Sequence, residues 1–311
     1  MAAEVPAVIK CAGALADFAK DVFFAACAAV CSVCRYEKVF MPVVEVIARH
    51  APIQSCDIHY FFAWADKKAV SGNLKVIFPE KSQKEINRIR ITMFRNFAKY
   101  LVDFFRYSKL DPEYIKKNIT VENKEYVDNA MLKGKGVITL TAHLGNWELG
   151  GVIISLLGYP FSAVALPHKD KFVDNFFNQQ RASKGMKVIP LGKAVKQCLD
   201  TLKKNEILAL VGDRDFSGKG MVLDFFGKPT FFPEGAAAFS LKTGASIVPG
   251  FMIRDKTDGF VLRFEKPLEF KATGNKAKDL EGLIVNYKHI FEDYIKKYPE
   301  QWYMFRRFWI V

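Results

Sequence analysis

From about Ile119 onward, short apolar runs alternate with stretches in which apolar residues recur at helical spacing. The runs predict strands at Val137–Thr141, Phe161–Leu166, Lys187–Ile189, Ile207–Val211, Ser246–Ile253 and Phe260–Phe264. Helical patterns fill Asn146–Leu157, Asp170–Lys184, Ala194–Lys204, Pro233–Thr243 and Leu280–Lys297. Such alternation marks βα units wound around a parallel or mixed sheet. Upstream, Ser82-Gln83-Lys84-Glu85 reads as a capping box opening a helix on which Ile86, Ile89, Met93, Phe94, Phe97, Leu101 and Phe104 share a face. That face is read as an ordinary core-packing one. Residues 36–75 read as helical segments broken at Pro42 and Pro52. No internal repeat or flexible linker interrupts the chain. The expectation is an α/β fold with a mixed, mostly parallel central sheet flanked by helices, preceded by an N-terminal helical extension. Residues 1–79 form the extension and 80–311 a catalytic-type domain.

Composition narrows the class. A chain of 311 residues, half hydrophobic and a quarter charged, can bury a large core and is neither disordered nor a small disulfide-stapled module. The formal charge of +13, spread along the chain without a basic tail, and 28 phenylalanines point to an anionic, partly apolar partner. Nothing resembles a zinc finger or an aromatic-basic RNA-binding signature, so nucleic acid is not an expected partner. Four of the six cysteines, Cys11, Cys27, Cys31 and Cys34, cluster near the start, and they read as small residues on an apolar helix in a reducing compartment. Around them the longest uncharged run, Val22 to Cys34, has thirteen residues, short of the ~20 that span a bilayer. The segment reads as a helix lying on the membrane or packing on the domain, with Phe18, Val22, Phe23, Ala26 and Val30 on its apolar side.

The segment from Gly136 to Gly151 reads as strand, tight turn and helix start, and it holds His143 and Glu148. On one continuous helix residues five apart point about 140° away from each other, at ~100° per residue, so His143 is expected in the turn. Gly145 permits an unusual backbone there. The imidazole can then fold back toward Glu148, whose carboxylate would accept one ring N–H and leave the other nitrogen to take a proton from a hydroxyl. The helix N-terminus beside the pair suits an oxyanion or a phosphate. Asn146 either positions the turn or contacts substrate, and Trp147 is read as core. His50, His59, His168 and His289 have no partner at catalytic spacing.

The stretch His143-Leu-Gly-Asn-Trp-Glu148-Leu-Gly-Gly151 resembles the H-x-x-x-x-D/E block of the lysophospholipid acyltransferase superfamily, and more narrowly the bacterial lipid A late acyltransferases. Further segments match in the family's order: Asn178 to Pro190 around Arg181 and Gly185, Gly212-Asp213-Arg214-Asp215-Phe216 with Asp224 to Pro229, Thr243 to Pro249, and Pro299 to Trp309. The resemblance covers roughly residues 80–311 and implies a glycerolipid-acyltransferase-like fold.

It also implies acyl transfer from a thioester donor to a hydroxyl of a membrane glycolipid, at the cytoplasmic face of the inner membrane. The donor would be acyl carrier protein, whose acidity suits the positive charge, or acyl-CoA. The acceptor would be a lipid A precursor or a related glycolipid such as a phosphatidylinositol mannoside. A different class is a non-catalytic lipid-binding protein on the same fold. No G-x-S-x-G elbow and no cysteine placed with a base appears, so direct attack is expected over a covalent acyl-enzyme. His143 would be the base and Glu148 its orienting acid, without metal or cofactor. Arg181 and Arg214 are expected to grip phosphate. For Arg214 the alternative is an ion pair with the flanking Asp213 and Asp215. Asp213, Asp215, Gly145 and Gly151 complete the expected substrate-binding set, Gly151 by leaving room for an acyl chain.

Overall fold

The computed structural model describes residues 63–107, 110–168, 170–191, 194–216 and 218–310. The expected N-terminal helix, and His50 and His59, lie outside the described residues. Helix α1 (Trp64–Ile77) and helix α2 (Gln83–Phe105) come first. The capping box opens α2 as expected. The Ser82 side chain accepts from the Glu85 N–H at 3.3 Å, and the Glu85 carboxylate accepts from the Ser82 N–H at 2.9 Å. Then follow α3 (Pro112–Asn118), β1 (Ile119–Glu122), α4 (Glu125–Met131), β2 (Val137–Thr141), α5 (Trp147–Leu156), β3 (Phe161–Ala165) and α6 (Lys171–Ala182). The chain continues through β4 (Lys187–Pro190), α7 (Ala194–Lys203), β5 (Ile207–Val211), β6 (Met221–Phe225), β7 (Lys228–Phe232), α8 (Gly235–Thr243), β8 (Ser246–Arg254), β9 (Phe260–Phe264) and α9 (Lys276–Lys297). A 3₁₀ turn at Pro299–Gln301 comes last.

Seven strands form one sheet in the order β1-β9-β8-β2-β5-β3-β4, and every neighbouring pair is parallel except β8 with β9. The expected α/β architecture, mostly parallel and flanked by helices, is the observed one. β2 is apolar and buried along almost its whole length because helices cover both faces. Its Ile138 and Leu140 enter a core shared with α7, α8 and α9, while Val137 faces the other core with α4, α5 and α6. Helix α1, on the N-terminal side of the expected boundary at residue 79, sends Val70, Leu74 and Ile77 into the first core. From the same helix the Asn73 amide donates to the carbonyls of Met304 and Arg306.

Three strands, β1, β6 and β7, have no counterpart among the expected ones. β1 is four residues long and only partly buried, too short to show a period. β6 and β7 pair as a separate antiparallel hairpin whose turn, Phe226-Gly227, has φ of 54° and 77°. Two positive φ angles are what a tight hairpin turn needs, and Phe at the first position hides the usual Asn-Gly or Asp-Gly signal.

Candidate active site

β2 and β5 run side by side with Thr141 opposite Val211, so the segments that follow them emerge together at the carboxyl edge of the sheet. In open α/β sheets that edge is where ligands bind. The Gly212 N–H donates to the Thr141 carbonyl at 2.8 Å and keeps the two strand ends together.

After β2 the chain turns sharply through Ala142 to Asn146. The turn is held from outside: Gly145 N–H donates to the Gln301 carbonyl at 2.8 Å, Asn146 N–H to the Met252 carbonyl at 2.8 Å, and Tyr303 N–H to the His143 carbonyl at 2.9 Å. Gly145 has φ of +65°, and a Cβ there would stand 2.1 Å from the Met252 carbonyl oxygen, so only glycine fits. Asn146 caps α5, its Oδ1 accepting from Leu149 N–H at 3.0 Å and from the Tyr107 hydroxyl at 2.8 Å. Its amide donates to Asp103 at 3.1 Å, and the Arg254 guanidinium donates to the same carboxylate. Asn146 is thus a buried positioning residue at the centre of a polar network.

Within this frame His143 Nδ1 lies 2.6 Å from Asp213 Oδ1, and Trp302 Nε1 donates to the other Asp213 oxygen at 3.0 Å. Asp213 is fully buried, whereas the His143 side chain keeps 16% of its surface open. Burial pushes the Asp213 carboxyl up, but the His143 charge and hydrogen bond, then the Arg214 charge and the Trp302 N–H, outweigh it and hold the group below its ordinary value. The carboxylate is therefore a fixed negative charge aimed at one imidazole nitrogen, the arrangement that sets a tautomer and supports an imidazolium.

Glu148, expected on that nitrogen, is engaged elsewhere. Arg181 Nε donates to its Oε2 at 2.9 Å and Nη2 to its Oε1 at 2.5 Å. The reason lies in topology. Glu148 faces the last turn of α6, which brings Arg181 to it, while the next strand end in the sheet brings Asp213 level with His143. Arg181 is accordingly buried, its guanidinium 5.9 Å from the Phe104 ring centroid and 5.6 Å from that of Phe177. Burial lowers its pKa and the Glu148 carboxylate more than restores it. Its guanidinium is engaged by Glu148 and, through Nη1, by Asn178 Oδ1 at 3.3 Å. His168, on the loop leading to α6, is close enough to the pair for the Arg181 charge to add to burial in lowering its pKa.

Arg214 differs. Among the described residues no ion pair joins it to a carboxylate. Asp213 is committed to His143 and Trp302, and Asp215 accepts the backbone N–H groups of Lys219 at 3.1 Å and Gly220 at 3.2 Å. Its buried Nε has no hydrogen-bond partner among the described residues, and Nη2 meets only the weak acceptor Met304 Sδ, at 3.1 Å. Burial lowers its pKa, Asp213 opposes this, and Arg306 adds to the lowering. Gly151, expected to leave room for an acyl chain, is packed: a Cβ there would meet Met186 Sδ at 2.9 Å and the Phe161 ring at 3.0 Å. The glycine lets α5 lie close to the sheet instead. Trp147 stacks on Tyr100 and stands edge-on to His143, 5.2 Å between centroids. His289 pairs with Glu292 on exposed α9 surface. Among the described residues no three His, Cys, Asp or Glu side chains converge as metal ligands would, and no helix is long and apolar enough to cross a membrane.

Asp213 is expected among the substrate-binding residues; its contact with His143 is what spacing within one motif conceals, since the two lie 70 positions apart. An acidic residue two positions past an apolar strand run, Ile207 to Val211, was the available signal.

The chain is 26% identical over 220 residues, 70% of each chain, to a phosphatidylinositol mannoside acyltransferase of Mycolicibacterium smegmatis. It is 25% identical over 244 residues, 76% of each, to a lipid A biosynthesis palmitoleoyltransferase of Escherichia coli. A lipid A biosynthesis acyltransferase of Haemophilus influenzae is 22% identical over 231 residues, 74% of this chain and 71% of that one. Residues 53–310 match the family described as bacterial lipid A biosynthesis acyltransferase. With that match spanning most of its length, the chain belongs to the bacterial lipid A biosynthesis acyltransferase family, and it is an acyltransferase.

Proposed function

We propose that this acyltransferase moves a fatty acyl chain from a phosphopantetheine thioester to a hydroxyl of a membrane glycolipid by direct attack. The observation that carries the reading is the 2.6 Å contact between the largely buried His143 ring, which keeps a small part of its surface open, and the fully buried Asp213 carboxylate. With Nδ1 committed, Nε2 is left to take the proton of the acceptor hydroxyl as its oxygen attacks the thioester carbonyl. The tetrahedral oxyanion collapses, the carbon–sulfur bond breaks, and the imidazolium returns the proton to the departing thiolate. The positive end of α5, beside His143, is suited to the oxyanion. Arg214, with N–H capacity unspent, is suited to a phosphate of the donor or acceptor. The named relatives differ in acceptor, a phosphatidylinositol mannoside in one and lipid A in the others. Acyl carrier protein is the favoured donor because an acidic partner complements the +13 charge.

The test incubates the full chain with acyl carrier protein thioester or acyl-CoA and, separately, a lipid A precursor or a phosphatidylinositol mannoside, and follows products by mass spectrometry. One acceptor should gain one acyl chain. His143→Gln should abolish the gain and Asp213→Asn should slow it roughly a hundredfold to ten-thousandfold, because the wrong tautomer is then favoured. Wild-type turnover by either variant would overturn the mechanism, and no gain with any pair would overturn the substrate class.

A further inference from the structure

Several large apolar side chains are exposed at the carboxyl edge of the sheet, where His143 and Asp213 lie. Leu166 directly follows β3 and is 56% exposed, Leu191 directly follows β4, Val195 stands in the first turn of α7 at 65%, and Phe216 follows β5. Because β2, β3, β4 and β5 are all parallel, these positions are brought to one rim by topology alone. The rim is continuous with the site: the Phe216 ring centroid is 6.5 Å from that of His143, and the Arg214 guanidinium lies 5.6 Å from it. Exposed Lys171 and Lys196 are set within a few residues of the aliphatic side chains.

We propose that this rim is the surface by which the catalytic domain enters an anionic lipid bilayer, so that the site opens directly onto the membrane. Scattered exposed apolar residues are normal on a protein surface, but here they lie along the one edge of the sheet that also carries the base. Their pairing with lysines is the pattern of an interfacial surface, in which apolar side chains sink below the headgroups while ammonium groups meet lipid phosphates. A docking site for an acidic carrier protein calls for the lysines and gives no use to outward Leu166, Leu191 and Val195. The opposite edge supplies a built-in control: Leu132, Leu156 and Leu157 are also exposed but precede β2 and β3, at the far end of the strands. The choice of edge rests on the reading that the acceptor is a membrane lipid. The surface itself is tested without it.

Backbone hydrogen exchange of the full chain is compared with and without vesicles, made of phosphatidylcholine alone or mixed with phosphatidylglycerol, and in the presence of acyl carrier protein. Protection is expected on the mixed vesicles at the loops bearing Leu166, Leu191 and Phe216, and not around Leu132 or Leu156. Protection at the opposite edge instead, no protection at the rim on vesicles, or rim protection by carrier protein alone overturns the proposal. This readout holds even if no acyl transfer is ever seen, so the two readings fail separately. As a second measurement, the Leu166→Asn, Leu191→Asn, Val195→Asn triple variant should keep its turnover on detergent-dispersed acceptor, which shows it folded, and lose roughly tenfold on vesicle-embedded acceptor. The matching triple variant at Leu132, Leu156 and Leu157 should lose nothing in either format. Equal behaviour of the two triples on vesicles overturns the proposal.

Discussion

Glu148 and Arg181 hold opposite charges in a pocket walled by Phe104 and Phe177, with side chains only 14% and 8% exposed. A buried pair of this kind contributes little net stability, but removing one partner strands the other charge. Arg181→Met should therefore lower unfolding stability by roughly 3–5 kcal/mol in chemical denaturation. Adding Glu148→Gln to the same chain should recover much of that loss, because no buried charge then remains unpaired. Recovery would assign the pair a structural share in the site; its absence would show that packing, not charge, dominates. The sequence made the residues of this site visible and their partners invisible. His143, Glu148, Asp213, Arg181 and Arg214 all lie in the segments that match the family's blocks in order. Which carboxylate meets which cation depends on strand order, and nothing local encodes that β5 lies next to β2.

At the level of elements, the turn between β2 and α5 is held from outside by three backbone hydrogen bonds. Gly145→Ala adds left-handed strain, of order 1–2 kcal/mol, to a collision with the Met252 carbonyl that only backbone movement relieves. Thermal unfolding should report a loss of about 3 kcal/mol or more, with transfer activity lost as His143 shifts. Gly158→Ala has a positive φ but nothing within 4 Å of the new Cβ, and should cost only about 1 kcal/mol with activity kept. Elements with a clear pattern, α2 and the strands of the large sheet other than β1, were legible before folding. The hairpin β6 to β7 was not, because Phe226 occupies a left-handed position that sequence rules reserve for Asn, Asp or Gly.

For the molecule as a whole, Asp103 ties α2 to Arg254 of β8 and to the cap of α5. Burial raises its carboxyl to about 6 against the opposing pull of Arg254. The folded protein thus holds a proton that the unfolded chain has released between about pH 4 and 6, so this group's contribution to stability falls as pH rises across that window. The total is roughly 3 kcal/mol at most. Asp103→Asn removes that dependence: the stability difference, wild type minus variant, should decline from pH 4 to 6 and level off above. A difference flat in pH would show that Asp103 is ionised throughout.

The backbone of the His143 turn is held by Gln301 and Tyr303, and the Asp213 carboxylate by Trp302. All three residues follow β9, the last strand of the sheet. During synthesis, then, every described strand leaves the ribosome before the clasp that sets the imidazole, and on the proposed mechanism a nascent chain can lay down its whole sheet while still chemically inert. Competence arrives last, with a few residues that belong to no strand.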